Sequence, residues 1–317
     1  MKKLSKTIAL ILTIAALFAL AACDNSSPAT SSTEPDDVTV ERIDYDRDGN
    51  TITLPDEINK IISIGPSNTE VLVALGYGDK IIATDAYSSN VPGIKEGISD
   101  FSMMANDGEL IIEMDPDVIF VTGMSRAGGD DPYAVIAQAG ICLIYMPSSV
   151  SIEGIKEDIR YMAAVLSVEE TGEEIIANME AEIERILEIT SAASETKRVY
   201  FEIAAAPNMY SFGSGTFLHE MIEMLGGENI FGETISWASV SDEAILDADP
   251  EVILTTVNYI DNPIDEIKSR DGWNNVTAIA NDAVYYISTD ASNRPSHNIV
   301  IAMEQIARAI HPELFEG

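Results

Sequence analysis

Histidine, cysteine and positive charge are all scarce in this chain, and each scarcity removes a class of function. The three histidines, His219, His297 and His311, lie far apart and none precedes residue 219, so no pair stands at the spacing of a zinc site. Two cysteines, Cys23 and Cys142, cannot build a disulfide framework. Lys and Arg number 18 against 53 Asp and Glu, a net charge of −35 at neutral pH. Such a field repels nucleic acid and anionic lipid, and no basic patch offsets it, which excludes nucleic-acid functions. No phosphate-binding loop or dinucleotide fingerprint occurs. Phe212-Gly-Ser214-Gly-Thr places a serine between glycines but lacks the Gly-x-Ser-x-Gly frame of a nucleophile turn; it reads as a flexible turn before a helix at Phe217. Catalysis is left without a nucleophile, metal or cofactor site, so no cofactor is expected.

What is present begins with an address. Lys2, Lys3 and Lys6 precede sixteen uncharged, mostly apolar residues, Thr7 to Ala22. That run is short for a bilayer span, which needs roughly 20 apolar residues, and its order of charge, apolar core and small residues is that of a secretory signal. It ends Leu20-Ala21-Ala22-Cys23, matching the lipobox of bacterial lipoproteins, so Cys23 is the expected site of lipidation and residues 1–22 the signal peptide. Without the three leader lysines, 15 basic residues face 53 acids, a net of −38. Residues 23–37, the lipidated cysteine and a stretch free of large apolar side chains, read as a flexible tether. With Cys23 lipidated, Cys142 has no partner and reads as a buried, inert thiol.

Val38 to Leu54 alternates as two strands around Asp46-Arg-Asp-Gly49, a strong hairpin signal. Asp44-x-Asp46-x-Asp48-Gly49 also looks like the start of a calcium loop. The twelfth position, where a bidentate Glu is needed, is Pro55, and no helix flanks the loop, so the hairpin is the better reading. Strand-like runs then alternate with helical ones: strands at Lys60–Ile64, Lys80–Thr84, Val118–Thr122 and Ile141–Met146, with helices at Asn68–Leu75, Glu109–Met114 and Tyr133–Ala139. This alternation argues for α/β architecture with mostly parallel sheets. Ser151–Leu166 is a helix. Ser167-x-x-Glu170 reads as a capping box opening a second, long helix, with Ile175, Ile176, Met179, Ile183, Ile186 and Leu187 on one stripe. Alternation resumes from Arg198, with strands at Val199–Ile203, Val252–Val257 and Val284–Ser288. Helices are expected at Phe217–Leu225, Ala244–Ala248, Asn275–Ala280 and Ile299–Ile310.

The second half echoes the first. Glu109-Leu-Ile-Ile-Glu-Met-Asp-Pro-Asp-Val-Ile aligns without gaps on Glu243-Ala-Ile-Leu-Asp-Ala-Asp-Pro-Glu-Val-Ile, 134 residues later. A weaker echo joins Glu70–Gly76 to Glu220–Gly226. The expected architecture is therefore two lobes of the same build, residues 38–166 and 197–317, joined by one long helix within 167–196. In each copy of the longer echo a Glu opens a short helix, where the helix dipole favours it. Proline then ends the helix and commits the chain to a buried strand.

Ile62-Ser-Ile-Gly-Pro-Ser-Asn-Thr-Glu70, the Glu-to-Asp-Pro-Asp segment, Phe217 to Ile230 and Trp237-Ala-Ser-Val-Ser-Asp-Glu243 together resemble the cobalamin and iron–siderophore binding proteins of ABC importers. The likeness covers nearly all of residues 38–317 and is specific to that superfamily, not to one ligand. It implies two Rossmann-like lobes bridged by one helix (the class III periplasmic binding protein fold) and a lipid-anchored extracytoplasmic protein. The implied partners are an ABC permease with its ATPase, and a ligand held between the lobes. One glutamate on each lobe would dock into arginine pockets of the permease; by position these are Glu109 and Glu243, with Glu70, Glu220 and Glu223 as nearby rivals.

Family ligands are gripped by aromatic side chains and a few polar groups. Loops expected to face the cleft carry Asn68, Tyr87, Phe101, Met103, Met104, Tyr210, Phe212, Trp237, Tyr259 and Arg294, with Tyr87 and Trp237 foremost. Arg294 could meet an anionic group on the ligand or simply pair with Asp290. The expected ligand is a corrinoid or a ferric siderophore; haem or another metal chelate is the alternative cargo, and a ligand-presenting sensor lipoprotein the alternative role.

Overall fold

Short runs rich in β-branched and aromatic residues become the central strands of the sheets, buried on both faces, and the stretches between them become the helices that cover those faces. The computed structural model describes residues 43–104, 108–126, 129 and 131–315. The signal peptide, Cys23, the tether and positions 38–42 of the first expected strand lie outside the described residues. The described chain belongs to one compact unit, and no helix in it is long and apolar enough to cross a membrane.

The first lobe runs β1 (Ile61–Ile64), α1 (Pro66–Ala74), β2 (Ile81–Asp85), β3 (Ser99–Phe101), α2 (Gly108–Glu113), β4 (Val118–Thr122), α3 (Ala134–Gln138), β5 (Cys142–Met146) and α4 (Ile152–Val165). Its five strands are all parallel, in the order β3-β2-β1-β4-β5. The connector is α5 (Glu169–Thr190), 22 unbroken residues, about 33 Å long at 1.5 Å per residue.

The second lobe runs β6 (Lys197–Glu202), β7 (Tyr210–Phe212), α6 (Phe217–Met224), β8 (Gly227–Asn229), β9 (Trp237–Ser239), α7 (Asp242–Ala248), β10 (Val252–Thr255), α8 (Pro263–Lys268), α9 (Thr277–Ala280), β11 (Val284–Tyr286), α10 (Thr289–Asn293) and α11 (Ile299–Ile310). Four parallel strands stand in the order β11-β10-β6-β8, and β7 pairs antiparallel with β9 in a separate ribbon. Reading β8-β6-β10-β11 against β2-β1-β4-β5 gives the same topology in both lobes, with β3 an addition to the first.

Two local expectations change. Ser167 does not cap α5. It sits at φ 56° and closes α4, with its own N–H on the Ala164 carbonyl (3.2 Å) and the Val168 N–H on that of Ala163 (2.9 Å). That is the paired bonding of a left-handed helix end, and it uses the serine's backbone before its side chain can serve the next helix. The turn at Gly213 is packed instead of free. A Cβ there would lie 1.9 Å from the Thr234 carbonyl oxygen, and the Ser214 hydroxyl donates to that same oxygen (3.1 Å).

The hairpin reading of the Asp-rich segment has a visible cause. Asp46 accepts from the N–H of Asp48 (3.0 Å), Asn50 (2.8 Å) and Tyr145 (3.0 Å) and from the Asn50 amide (2.8 Å), and Tyr45 bridges Thr51 antiparallel. The carboxylate shapes the turn and ties it to β5.

The connector is no free-standing rod. Ile176, Met179, Ile183 and Ile186 are buried in the apolar cluster that also holds Leu72 and Ile159 of the first lobe and Met221 and Ile306 of the second. Gly172 lets α5 lie close on α4, where an added Cβ would stand 2.5 Å from that of Ala163.

Candidate functional site

The Asp-Pro echo builds one device twice. Asp115 and Asp249 are both left-handed (φ 50° and 43°), a conformation Asp tolerates better than most residues. In the first lobe the Asp117 carboxylate accepts the Lys60 N–H (2.8 Å), while the Lys60 ammonium donates to the Asp115 carbonyl (3.0 Å). In the second, Glu251 accepts the Arg198 N–H (3.1 Å) and the Arg198 guanidinium donates to the Asp249 carbonyl (2.9 Å). Each clamp fixes a short helix against the amino end of the central strand pair. The free ends of those helices carry Glu109 and Glu243, both exposed and without an ion pair to any described residue. The second helix is further held by Ser241, which caps the Ala244 N–H (3.3 Å), and by Asp242, which accepts from the buried Trp273 indole (2.9 Å).

The three rival glutamates are engaged internally. Glu223 accepts the Asn229 N–H (3.1 Å) and Glu220 the Ile152 N–H (2.8 Å). Glu70 is buried and accepts from Arg294 (2.9 Å), Ser296 (2.5 Å) and Asn298 (2.9 Å).

Open parallel sheets bind ligands beyond the carboxyl ends of their strands, where the strand order reverses. On those edges the first lobe presents Tyr87, 70% exposed, just after β2. Buried Asp85 sets its loop, accepting from the N–H of Gly65 (2.7 Å) and Tyr87 (2.8 Å) and from the Ser88 hydroxyl. The second lobe presents Tyr259, 66% exposed, after β10, and Trp237 (41%) and Tyr210 (38%) on the ribbon. Tyr259 is steadied by the Ala205 N–H, which donates to its hydroxyl (2.9 Å). A depression of about 480 Å³ on this edge is lined by Val257, Asn258, Ile260, Asn262 and Tyr286 among others.

Four expected cleft residues are occupied elsewhere. Phe212 is fully buried, tilted against Phe201 (5.2 Å) and edge-on to Trp237 (5.8 Å), so it backs the exposed indole instead of reaching the cleft. Phe101 packs in the first lobe's outer core. Asn68 is buried, its amide donating to the Ile64 carbonyl (2.9 Å). Arg294 is buried in ion pairs with Glu70 (2.9 Å) and Asp290 (2.7 Å). The loop positions were readable from strand ends; which face of a loop each ring takes was not.

Beneath the second lobe's edge, Glu202 is fully buried against Arg270 (2.7 and 2.9 Å) and Tyr200 (3.2 Å). Burial pushes its carboxyl above the usual range against the pull of Arg270. The sequence offered no sign of this pair, which joins residues 68 apart. Burial also pushes the Cys142 thiol up to about 11, so it stays protonated and unreactive near neutrality. His297 is lowered by burial, with Glu70 opposing. Among the described residues no group of three or more His, Cys, Asp or Glu is placed to hold a metal ion.

The pattern that defines the family described as periplasmic binding protein matches residues 61–291. An uncharacterised ABC transporter substrate-binding lipoprotein of Bacillus subtilis, YvrC, is 27% identical over 307 residues, 94% of each chain. A vitamin B12-binding protein of Yersinia pestis is 27% identical over 261 residues, 81% of this chain and 88% of its own. Among solved structures, a candidate iron-binding periplasmic solute-binding protein from Staphylococcus epidermidis superposes with a TM-score of 0.73 at 24% identity, covering 81% of this chain and all of its own.

Proposed function

The chain belongs to the periplasmic binding protein family, and from that premise we propose that it is the substrate-binding lipoprotein of an ABC importer whose cargo is a corrinoid. The observation that carries this reading is the pair of exposed acids, Glu109 and Glu243, each at the head of a short helix set by the same clamp in its lobe. A pair so placed suits docking on a membrane partner that offers two arginine sites, since carboxylate–Arg contacts orient partners and speed their encounter. Tyr87, Tyr210, Trp237 and Tyr259 together offer exposed rings suited to a large, flat ligand. The named ligand of the Yersinia relative favours a corrinoid. A ferric chelate is the second reading, favoured by the Staphylococcus structure. The lipid anchor is proposed at Cys23, as the name of the Bacillus relative supports.

The test separates capture from delivery. Purified protein is titrated with cyanocobalamin, a ferric siderophore and haem by absorbance, and cyanocobalamin is expected to bind in the micromolar range or tighter. Glu109→Lys and Glu243→Lys should each abolish uptake in cells while leaving affinity unchanged. Affinity that falls in step with uptake would remove the docking assignment, and tighter binding of a siderophore or of haem would replace the ligand.

A further inference from the structure

Glu70 and Glu220 hold the same place in the two halves. Each stands four residues before the end of its lobe's first long helix, α1 or α6, and each helix is followed by a glycine at positive φ (Gly76, Gly226). Each carboxylate also leaves its own lobe. Glu70 reaches the segment that opens α11: Arg294, Ser296 and Asn298, the residue immediately before that helix. Glu220 reaches the first N–H of α4, at Ile152. The helices they grip both lie beyond the last strand of their sheets, α4 directly after β5 and α11 one short helix, α10, after β11.

We infer that these two glutamates are reciprocal clasps that hold the lobes at their working separation, and that Arg294 is a positioning residue that couples the first clasp to Tyr87. The coupling rests on the reading of Tyr87 as a ligand contact. One Arg294 nitrogen holds Glu70; the other donates to the Tyr87 carbonyl (3.4 Å) and the Asn90 side-chain oxygen (3.3 Å). Drawing the second lobe away therefore pulls the guanidinium off the Tyr87 loop, and the ring's hold on a ligand loosens as the lobes part. The clasps are unequal. Glu70 has three side-chain donors in a buried cluster, where charge-assisted bonds are strong and an unpaired partner is costly. Glu220 has a single backbone donor and is half-buried. The Glu220 side should yield first.

The experiment measures lobe separation directly, by spin labels on the intact protein at Val135→Cys and Asn281→Cys, one in each lobe. Glu70→Gln and Arg294→Gln should broaden and lengthen the distance distribution without ligand, and Glu220→Gln should do so less. Cyanocobalamin should leave Glu70→Gln and Arg294→Gln roughly tenfold faster than wild type. In a Tyr87→Ala background, Arg294→Gln should add nothing to the off-rate while still lengthening the distance, which a merely structural role would not produce. Ser296→Ala removes the hydroxyl's bond to Glu70 together with the one it accepts from the Asn298 N–H (3.2 Å), leaves the ion pair and serves should the stronger variants fail to fold; it should shift the distances in the same direction. Unchanged distances in Glu70→Gln, Arg294→Gln and Ser296→Ala would overturn the clasps, and additive off-rate effects of Arg294→Gln and Tyr87→Ala would overturn the coupling. Wild type that binds no cyanocobalamin would instead sink the ligand reading, and the distances would still judge the clasps.

Discussion

The two halves repeat a topology and a clamp, yet they neutralise buried charge in different ways. Below the first lobe's edge, Asp85 is satisfied by two backbone N–H groups and a hydroxyl. Below the second, Glu202 is met by a guanidinium that also pairs with Glu266 (2.6 Å) and lies over Trp273 (4.7 Å). What the two halves share is backbone geometry: strand order, the left-handed Asp before proline, the short helix with its exposed Glu. The side chains that meet tertiary neighbours are free to diverge, because each lobe must pack its own surroundings.

The sharpest way to break this comparison is Arg270→Ala. It strands a fully buried carboxylate in the second lobe and should cost about 3–5 kcal/mol, read by urea denaturation. A loss under about 1 kcal/mol would mean that Glu202 is satisfied as Asp85 is, by neutral donors. Gly172→Ala tests the connector's seat on the first lobe. Its Cβ meets Ala163, and overpacking of this kind costs about 1–3 kcal/mol, more than the gain in helix propensity. Adding Ala163→Gly should recover stability if the contact is the cause.

The smallest effect comes from the clamp itself. Asp249 accepts from the Thr277 N–H and hydroxyl (both 2.8 Å), whereas the exposed Asp115 carboxylate meets, among the described residues, only Lys60 (3.1 Å). Both replacements by Ala carry the same left-handed backbone penalty and each removes a pair with the clamping cation (Arg198 at 4.0 Å, Lys60 at 3.1 Å), so the excess loss in Asp249→Ala, about 1 kcal/mol, reports the Thr277 bonds. Those bonds hold the Asp249 carboxyl below its usual range. A depressed folded pKa contributes stability above the unfolded pKa and loses it as pH falls through the folded value. The gap between the Ala variants should therefore close in acid, as thermal melts across pH would record.

Much of this architecture was legible before folding. The strand–helix alternation, the unbroken central helix and the position of α11 all follow from periodicity, which is local. The matched Glu109 and Glu243 segments were legible as well, since an ungapped repeat needs no tertiary information. The ribbon of β7 and β9 was not, because three-residue strands carry too little pattern to be read. Ser167 misled for a related reason: the same residues satisfy a helix start and a helix end, and only the bonding of α4 chooses between them.

The chain's own order of residues thus determined two like lobes, a rod and two outward acids, since each depends on neighbours a few positions away. Only tertiary structure decided that Glu70 and Glu220, the rivals of Glu109 and Glu243 by sequence, turn inward across the lobes, and that Phe101, Phe212 and Arg294 are spoken for inside the protein. Those outcomes rest on partners up to 228 residues distant, brought together by burial of the apolar faces and invisible to any local pattern.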